Sequence, residues 1–499
     1  MHELRVVNAV VVDGSGRPRF HGEVALEDDR IAEVGPRVGP AKQTVDAQGL
    51  VVAPGFIDIH NHGHAEQDGG VLHRPECPNL VRQGVTTIVA GNCGGSPLPI
   101  GEHLRRVEAQ GVAVNYATLI GHGTVRTAVM ESRGGEPSAA ELAQMRDLVA
   151  RAMQEGAIGL STGLWYVPGA YAKAEEVVEC AKVAAERGGV YASHIRGEGP
   201  TAVEGVNEAI EIGASAGLPV EISHLKRWGV DLHGTAEAVL EPIEEARRRG
   251  LDVNADAYPY EASATGLGVL IPRDMFEGGK LEQRLEDPGH RATIGAYMEA
   301  RLAAVGGPGR ILITSSQVEP RLNGRRLADA PALMGKPLEE CVLDLVVGGS
   351  VSAVYFAMDP RDVETILRNP NVMVASDSGV RAPEDGYCHP RNYGCFPRFL
   401  RLFVRETAAL TLEEGVRKMT DMPARKFRLQ GRGLVAPGHY ADLVIFDPDT
   451  ITDRATYETP WQYAEGVRWV IVNGRIALTP EADHIARAGR VLRPAATAA

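Results

Sequence analysis

The residues of this chain best suited to chemistry are two histidines one residue apart, His60 and His62, at the end of the apolar run Phe56–Ile59. Side chains alternate across a strand, so both imidazoles leave its C-terminal end on one side, where they can meet the same metal ion. Further ligand-type residues end later strand-like runs: Cys93, His194, His224 and Asp377. Imidazole, thiolate and carboxylate are the donors of Zn2+, and a catalytic zinc site keeps one position open for water. His194 and His224 stand one βα unit apart, and Cys93 lies in AGNCGG, whose glycines permit close approach to an ion. A metal centre of this kind activates water. Asp377, ending VMVASDSG, is the candidate general base toward that water and then the acid toward a leaving amine. A serine hydrolase is set aside for want of a GxSxG elbow before a helix.

Substrate contacts can be read in the same way. Lys226 lies two residues past His224 and so shares its side of the strand, Tyr258 ends the run DAY, and Arg391 follows Asp377 in HPRNYG. A lysine, a tyrosine and an arginine converging on one mouth would bind a carboxylate. Ser263 and Thr265 are further polar candidates. His122, ending the third strand-like run in LIGHGTVR, is a candidate for substrate contact, with support of the site as the alternative.

These residues need a scaffold that gathers strand ends. Strand-like runs recur at 56–60, 86–91, 115–121, 157–162, 189–195, 219–225, 252–258 and 372–377, with amphipathic helices between them. One helix is well signalled: Ser138 as N-cap, Glu141 three residues on, apolar positions from Leu142 to Met153 and a stop at Gly156. Eight βα repeats predict a (β/α)8 barrel, which places its site at the C-terminal ends of the strands. The other reading, an open doubly wound sheet, lacks a Gly-rich phosphate turn, because His60-Asn61-His62 occupies that place. Residues 1–54 and 431–480 read as short strands broken by turns, so a small β-sandwich built from both chain ends is expected beside a barrel over 55–430. The stretch 262–350 is too long for a βα connection and reads as a functional insertion or lid. Residues 481–499 read as a tail, its end PAATAA disordered.

Composition narrows the class. The 499 residues are 44% hydrophobic and 23% charged, as in a soluble globular protein, and the net charge of −13 argues against nucleic acid or anionic membrane as a partner. No signal peptide or membrane span is expected, and six cysteines without CxxC pairs suit a reducing cytoplasm. Self-association into a homo-oligomer is left open.

The pieces VVAPGFIDIHNH and GHYADLVIFD, with the flanking β segments, resemble the amidohydrolase superfamily. TTIVAGNCGGSP, GHGTVR, YASHIRGEG, EISHLK, DAYPYEASAT, ASDSG and HPRNYGCFPR resemble its N-acyl-D-amino-acid deacylase (D-aminoacylase) branch, in family order. The resemblance implies a tight zinc site of Cys93, His194 and His224, and a weaker or unfilled second site of His60, His62 and Asp377 bridged by Cys93. It implies that Lys226, Tyr258 and Arg391 hold the α-carboxylate of a small-molecule N-acyl-D-amino acid, the D preference coming from the resemblance alone. Other branches use a carboxylated lysine after the fourth strand; AIGLSTGL offers none, which argues against hydantoinase and dihydroorotase chemistry. The alternatives are an amidohydrolase acting on a cyclic amide, imide or dipeptide, and a non-catalytic barrel, which retention of every ligand-type residue argues against. His64 departs from the branch, where an acidic residue often stands, and is read as a mouth residue or a solvated loop histidine, the latter preferred. A neutral, hydrophobic substrate side chain is expected beside Trp165 and Tyr166; Arg273 is the one cation that argues for an acidic one.

Overall fold

The computed structural model describes residues 1–65, 70–481 and 484–494. Eight parallel strands lie where the apolar runs place them: Phe56–Asp58, Val85–Ala90, Asn115–Thr118 continued by Ile120–Gly121, Gly159–Gly163, Val190–His194, Val220–Ile222, Val253–Ala257 and Val372–Val374. Each pairs with its neighbour in parallel register, and the eighth pairs with the seventh. The ring closes between the first and eighth strands, where Asn61 bridges Ser378, His62 N donates to Ser378 O at 2.7 Å and Asp377 N donates to His60 O at 2.9 Å. The chain is therefore a (β/α)8 barrel. Ile57, Val89, Ala117, Val190 and Met373, from five strands, meet in one cluster with Phe427, a set that only the barrel interior can bring together.

Helices coat the outside as the hydrophobic periodicity requires. Ala139–Glu155 starts at the capping box of Ser138 and Glu141 and stops at Gly156. The helix Arg391–Phe399 fixes the eighth βα unit by stacking Phe396 on Phe56 of the first strand, ring centroids 5.8 Å apart. No helix among the described residues is long and apolar enough to cross a membrane.

The chain ends meet in one branched eight-stranded sheet. Strands His2–Val11, Phe20–Glu27, Arg30–Gly35, Ala41–Asp46 and Val51–Pro54 join Leu443–Phe446, Val467–Val472 and Arg475–Leu478. The strand His2–Val11 pairs with Ala41–Asp46 over its first half and with Val51–Pro54 at its end, so the sheet forks there. Its arms share a core containing Val6, Leu26, Val45, Val52, Leu443 and Ile471.

The long connection after the seventh strand carries its own antiparallel sheet, Ser263–Gly266, Val351–Tyr355 and Ile311–Ser316, with a separate apolar core that includes Leu270, Ile294, Met298, Ile313 and Leu345. Residues 484–494, read as a tail, pack along the third strand: Tyr116 N donates to Arg490 O and Leu492 N to Tyr116 O, both at 2.8 Å. The disorder expected of PAATAA falls, beyond Pro494, outside the described residues.

Candidate metal centre and active site

Cys93 Sγ stands at the centre of three imidazoles, 3.3 Å from His60 Nε2, 3.6 Å from His194 Nδ1 and 3.5 Å from His224 Nε2. Tetrahedral zinc arms of about 2.0–2.3 Å put neighbouring ligand atoms about 3.5 Å apart, so this spacing suits an ion. Among the described residues, three groups of ligand atoms lie within 4.8 Å of one another: His60 with His62 and Cys93, Cys93 with His194 and His224, and His60 with His224 and Asp377. The backbone at Cys93, His224 and Asp377 is left-handed, with φ of 53°, 36° and 50°. Non-glycine residues seldom adopt this conformation, and it turns each chain segment sharply just past its strand, at the mouth.

The charge states fit metal binding. Burial holds His60 at about 3 and His194 well below its ordinary range, and His224 is also lowered, so these rings are neutral as ligands must be. Burial likewise drives the Cys93 thiol well above its ordinary range, so it ionises only with a cation beside it. Glu198 Oε1 lies 3.2 Å from His224 Nδ1 and 3.6 Å from His194 Nε2, and can hold both rings with the opposite nitrogen toward Cys93. Asp256 accepts from the His224 backbone N at 2.8 Å, lies 3.6 Å from His60 Nδ1, and is raised by burial to about 7.

Asp377 reaches His62 Nε2 at 3.0 Å, His60 Nε2 at 3.5 Å and Arg391 Nη1 at 2.9 Å. Burial pushes its pKa up, but Arg391, His224, His62 and His60 outweigh this and hold it well below the carboxylate range.

A cavity of about 810 Å3 opens on this cluster. Lys226, Tyr258, Arg391, Ser263 and Thr265 all line it. Lys226 is spent on Glu198, 2.5 Å away, while the Tyr258 hydroxyl and Arg391 Nε are buried without partners. Tyr258 lies under both cations, 5.7 Å from Lys226 Nζ and 4.7 Å from the Arg391 guanidinium carbon.

Two sequence readings are corrected. His122 does not reach the cavity; it opens the helix His122–Met130 fully buried and pairs through Nε2 with Glu176 at 2.9 Å, because the chain turns outward there. For His64 the structure favours the mouth over the solvated loop: it is half-buried, with its ring 6.0 Å from that of His62. Its Nδ1 accepts from Gly91 N at 3.2 Å, and burial lowers it to about 3. Arg273 lies outside the cavity lining, stacked on Trp165 at 3.9 Å and donating to Arg196 O.

Sequence reasoning missed Glu198, Asp256 and Arg301. A signal existed for two: Glu198 follows His194 by four residues, and Asp256 shares its strand face with Tyr258. Arg301, on the helix Pro288–Val305, has none in local spacing.

A parallel barrel that gathers imidazoles, a thiol and a carboxylate at the C-terminal ends of its strands has the architecture of a metal-dependent hydrolase. Residues 43–478 match the model of the amidohydrolase family, and the chain belongs to that family. It is 36% identical to the N-acyl-D-glutamate deacylase and 37% identical to the D-aminoacylase of Alcaligenes xylosoxydans xylosoxydans, over 98% of this chain and 96% and 97% of those proteins. The structure of N-acyl-D-glutamate deacylase from Bordetella bronchiseptica, complexed with zinc and a phosphonate mimic of the tetrahedral intermediate, superposes with a TM-score of 0.85 at 34% identity, covering 99% of both chains.

Proposed function

We propose that this chain is a zinc-dependent deacylase that cleaves the amide bond of N-acyl-D-amino acids to a carboxylate and a free D-amino acid. The observation that carries the reading is the convergence of three imidazole nitrogens on Cys93 Sγ beside an Asp377 already clamped by Arg391. The D preference is supported by the relatives, which are named for D-amino-acid substrates.

Cys93, His194 and His224 would hold the tight zinc, and His60, His62 and Asp377 a weaker second position sharing Cys93. Bound there, Zn2+ supplies Lewis acidity toward the scissile carbonyl and brings the pKa of water down toward about 7. Asp377, ionised at neutral pH, accepts a proton as water attacks the acyl carbon. Its low affinity for that proton favours delivery to the amide nitrogen as the C–N bond breaks. Arg391 and the unpartnered Tyr258 hydroxyl receive the α-carboxylate, and Lys226 contributes its field while holding Glu198 in place. Ser263 and Thr265 lie on the insertion's side of the substrate.

We place the enzyme in the cytoplasm, supported by six cysteines that are all unpaired. The test is a screen of N-acetyl and N-formyl amino acids in both enantiomers, with metal content measured on the same sample and on Cys93→Ala. Zinc-dependent release of D-amino acids, with metal lost in Cys93→Ala, is expected; preferential hydrolysis of L substrates, or full zinc in the variant, would overturn the reading.

A further inference from the structure

The insertion brings to the cavity one cation that the site does not use. Arg301 lines the cavity with Thr265, Thr314 and Ser352. Its guanidinium carbon lies 4.0 Å from the ring centroid of Trp228 and 5.1 Å from that of Trp165. These indoles hold the group in place by cation–π attraction but supply no counter-charge.

Among the described residues no carboxylate pairs with Arg301 and no acceptor takes its hydrogen bonds, and its Nε is buried without a partner. Burial pulls its pKa below the ordinary value. By contrast, Arg391 has Asp377 and Lys226 has Glu198. A half-buried guanidinium that faces the cavity without an acid is completed by a ligand that brings the anion.

We infer that Arg301 receives a side-chain carboxylate of the substrate, so that the enzyme favours N-acyl-D-amino acids with acidic side chains. The inference rests on the deacylase reading above. There the α-carboxylate takes Arg391 and Tyr258, and the scissile amide takes the metal cluster. The substituents left for the Trp165–Trp228 wall are the acyl chain, neutral when it is acetyl or formyl, and the side chain, which is charged in glutamate and aspartate. The hydroxyls of Thr265, Thr314 and Ser352 suit a polar end better than the neutral hydrophobic one that Arg273 alone had argued against.

The decisive comparison is kcat/KM for N-acetyl-D-glutamate against its uncharged isostere N-acetyl-D-glutamine, on wild type, Arg301→Met and Arg301→Lys. Wild type is expected to favour glutamate by about tenfold or more, Arg301→Met to lose that ratio and Arg301→Lys to recover part of it. Arg301→Lys, the milder change, and Arg301→Gln keep the comparison available if Arg301→Met fails to fold. Equal or better turnover of the glutamine substrate overturns the inference. So does a preference that survives in Arg301→Met, which would point to another cation of the cavity such as Arg381. N-succinyl-D-methionine outperforming N-acetyl-D-glutamate would move the carboxylate to the acyl side and also overturn it. Failure on every N-acyl-D-amino acid, neutral ones included, would instead overturn the deacylase reading, and this inference with it.

Discussion

At the scale of single residues, Asp377 is held from several sides at once. Its oxygens meet His62, His60 and Arg391, its backbone N closes the barrel on His60 O, and its φ of 50° costs about 1–3 kcal/mol that the surrounding contacts must offset. Asn keeps the shape and tolerates the left-handed backbone, so Asp377→Asn should still fold, with a melting temperature lowered because the buried Arg391 loses its acid. It cannot take the proton, and kcat should fall by about 100-fold or more. Near wild-type kcat in a folded, metal-loaded variant would remove Asp377 from the proton-transfer role.

At the scale of elements, the outer face of the fourth βα unit is fastened by a buried ionic cluster. Glu176, on the helix Ala174–Ala185, accepts from His122 Nε2 and pairs with Arg126, both on the helix His122–Met130. Burial raises the Glu176 pKa, but the hydrogen bond and charges of His122 and Arg126 outweigh it and set it below the ordinary 4.5. A carboxyl lowered on folding stabilises the native state above its unfolded pKa, and that stability is lost as pH falls through the folded value. Glu176→Gln should therefore be less stable at neutral pH, and its unfolding free energy should fall less steeply below pH 4.5 than wild type. Denaturant titrations across that range check this, and parallel slopes for the two proteins would contradict it. The same cluster shows where sequence reading stops. The barrel strands were legible because short strand-like runs, most of them apolar, recur between amphipathic helices, and the helix from Ser138 because its cap is written in local order. The ligand residues were legible because strand ends in a barrel share a mouth. His122 was misplaced by that same rule, since it begins a helix and turns away from the mouth. Arg301 stayed hidden because its place depends on how the insertion packs, a contact across more than seventy residues to Trp228.

At the scale of the whole molecule, the two chain ends support the barrel from outside. The terminal sheet needs strands from both, and residues 484–494 run along the third barrel strand with Ile485 and Ala488 buried. Asn473 ties this segment down by donating to Ala488 O and Asn115 Oδ1, both at 2.8 Å. Removing residues 484–499 would forfeit the burial of these apolar groups, uncover the barrel surface beneath them and break several backbone hydrogen bonds worth about 1 kcal/mol each, so a loss of about 3–5 kcal/mol is expected. Chemical denaturation of the truncated chain measures it, and an unchanged midpoint would show that the segment only rests on the barrel. The placement of the aromatic residues has a practical consequence. The chain has four tryptophans; Trp165 and Trp228 form the cavity wall, and Trp461 sits edge-on at 4.9 Å to Tyr387, which lines the same space. Only Trp469, in the terminal sheet, lies apart from it. Ultraviolet emission from this protein is thus weighted toward the cavity, and the molecule carries an unlabelled optical reporter of whatever enters.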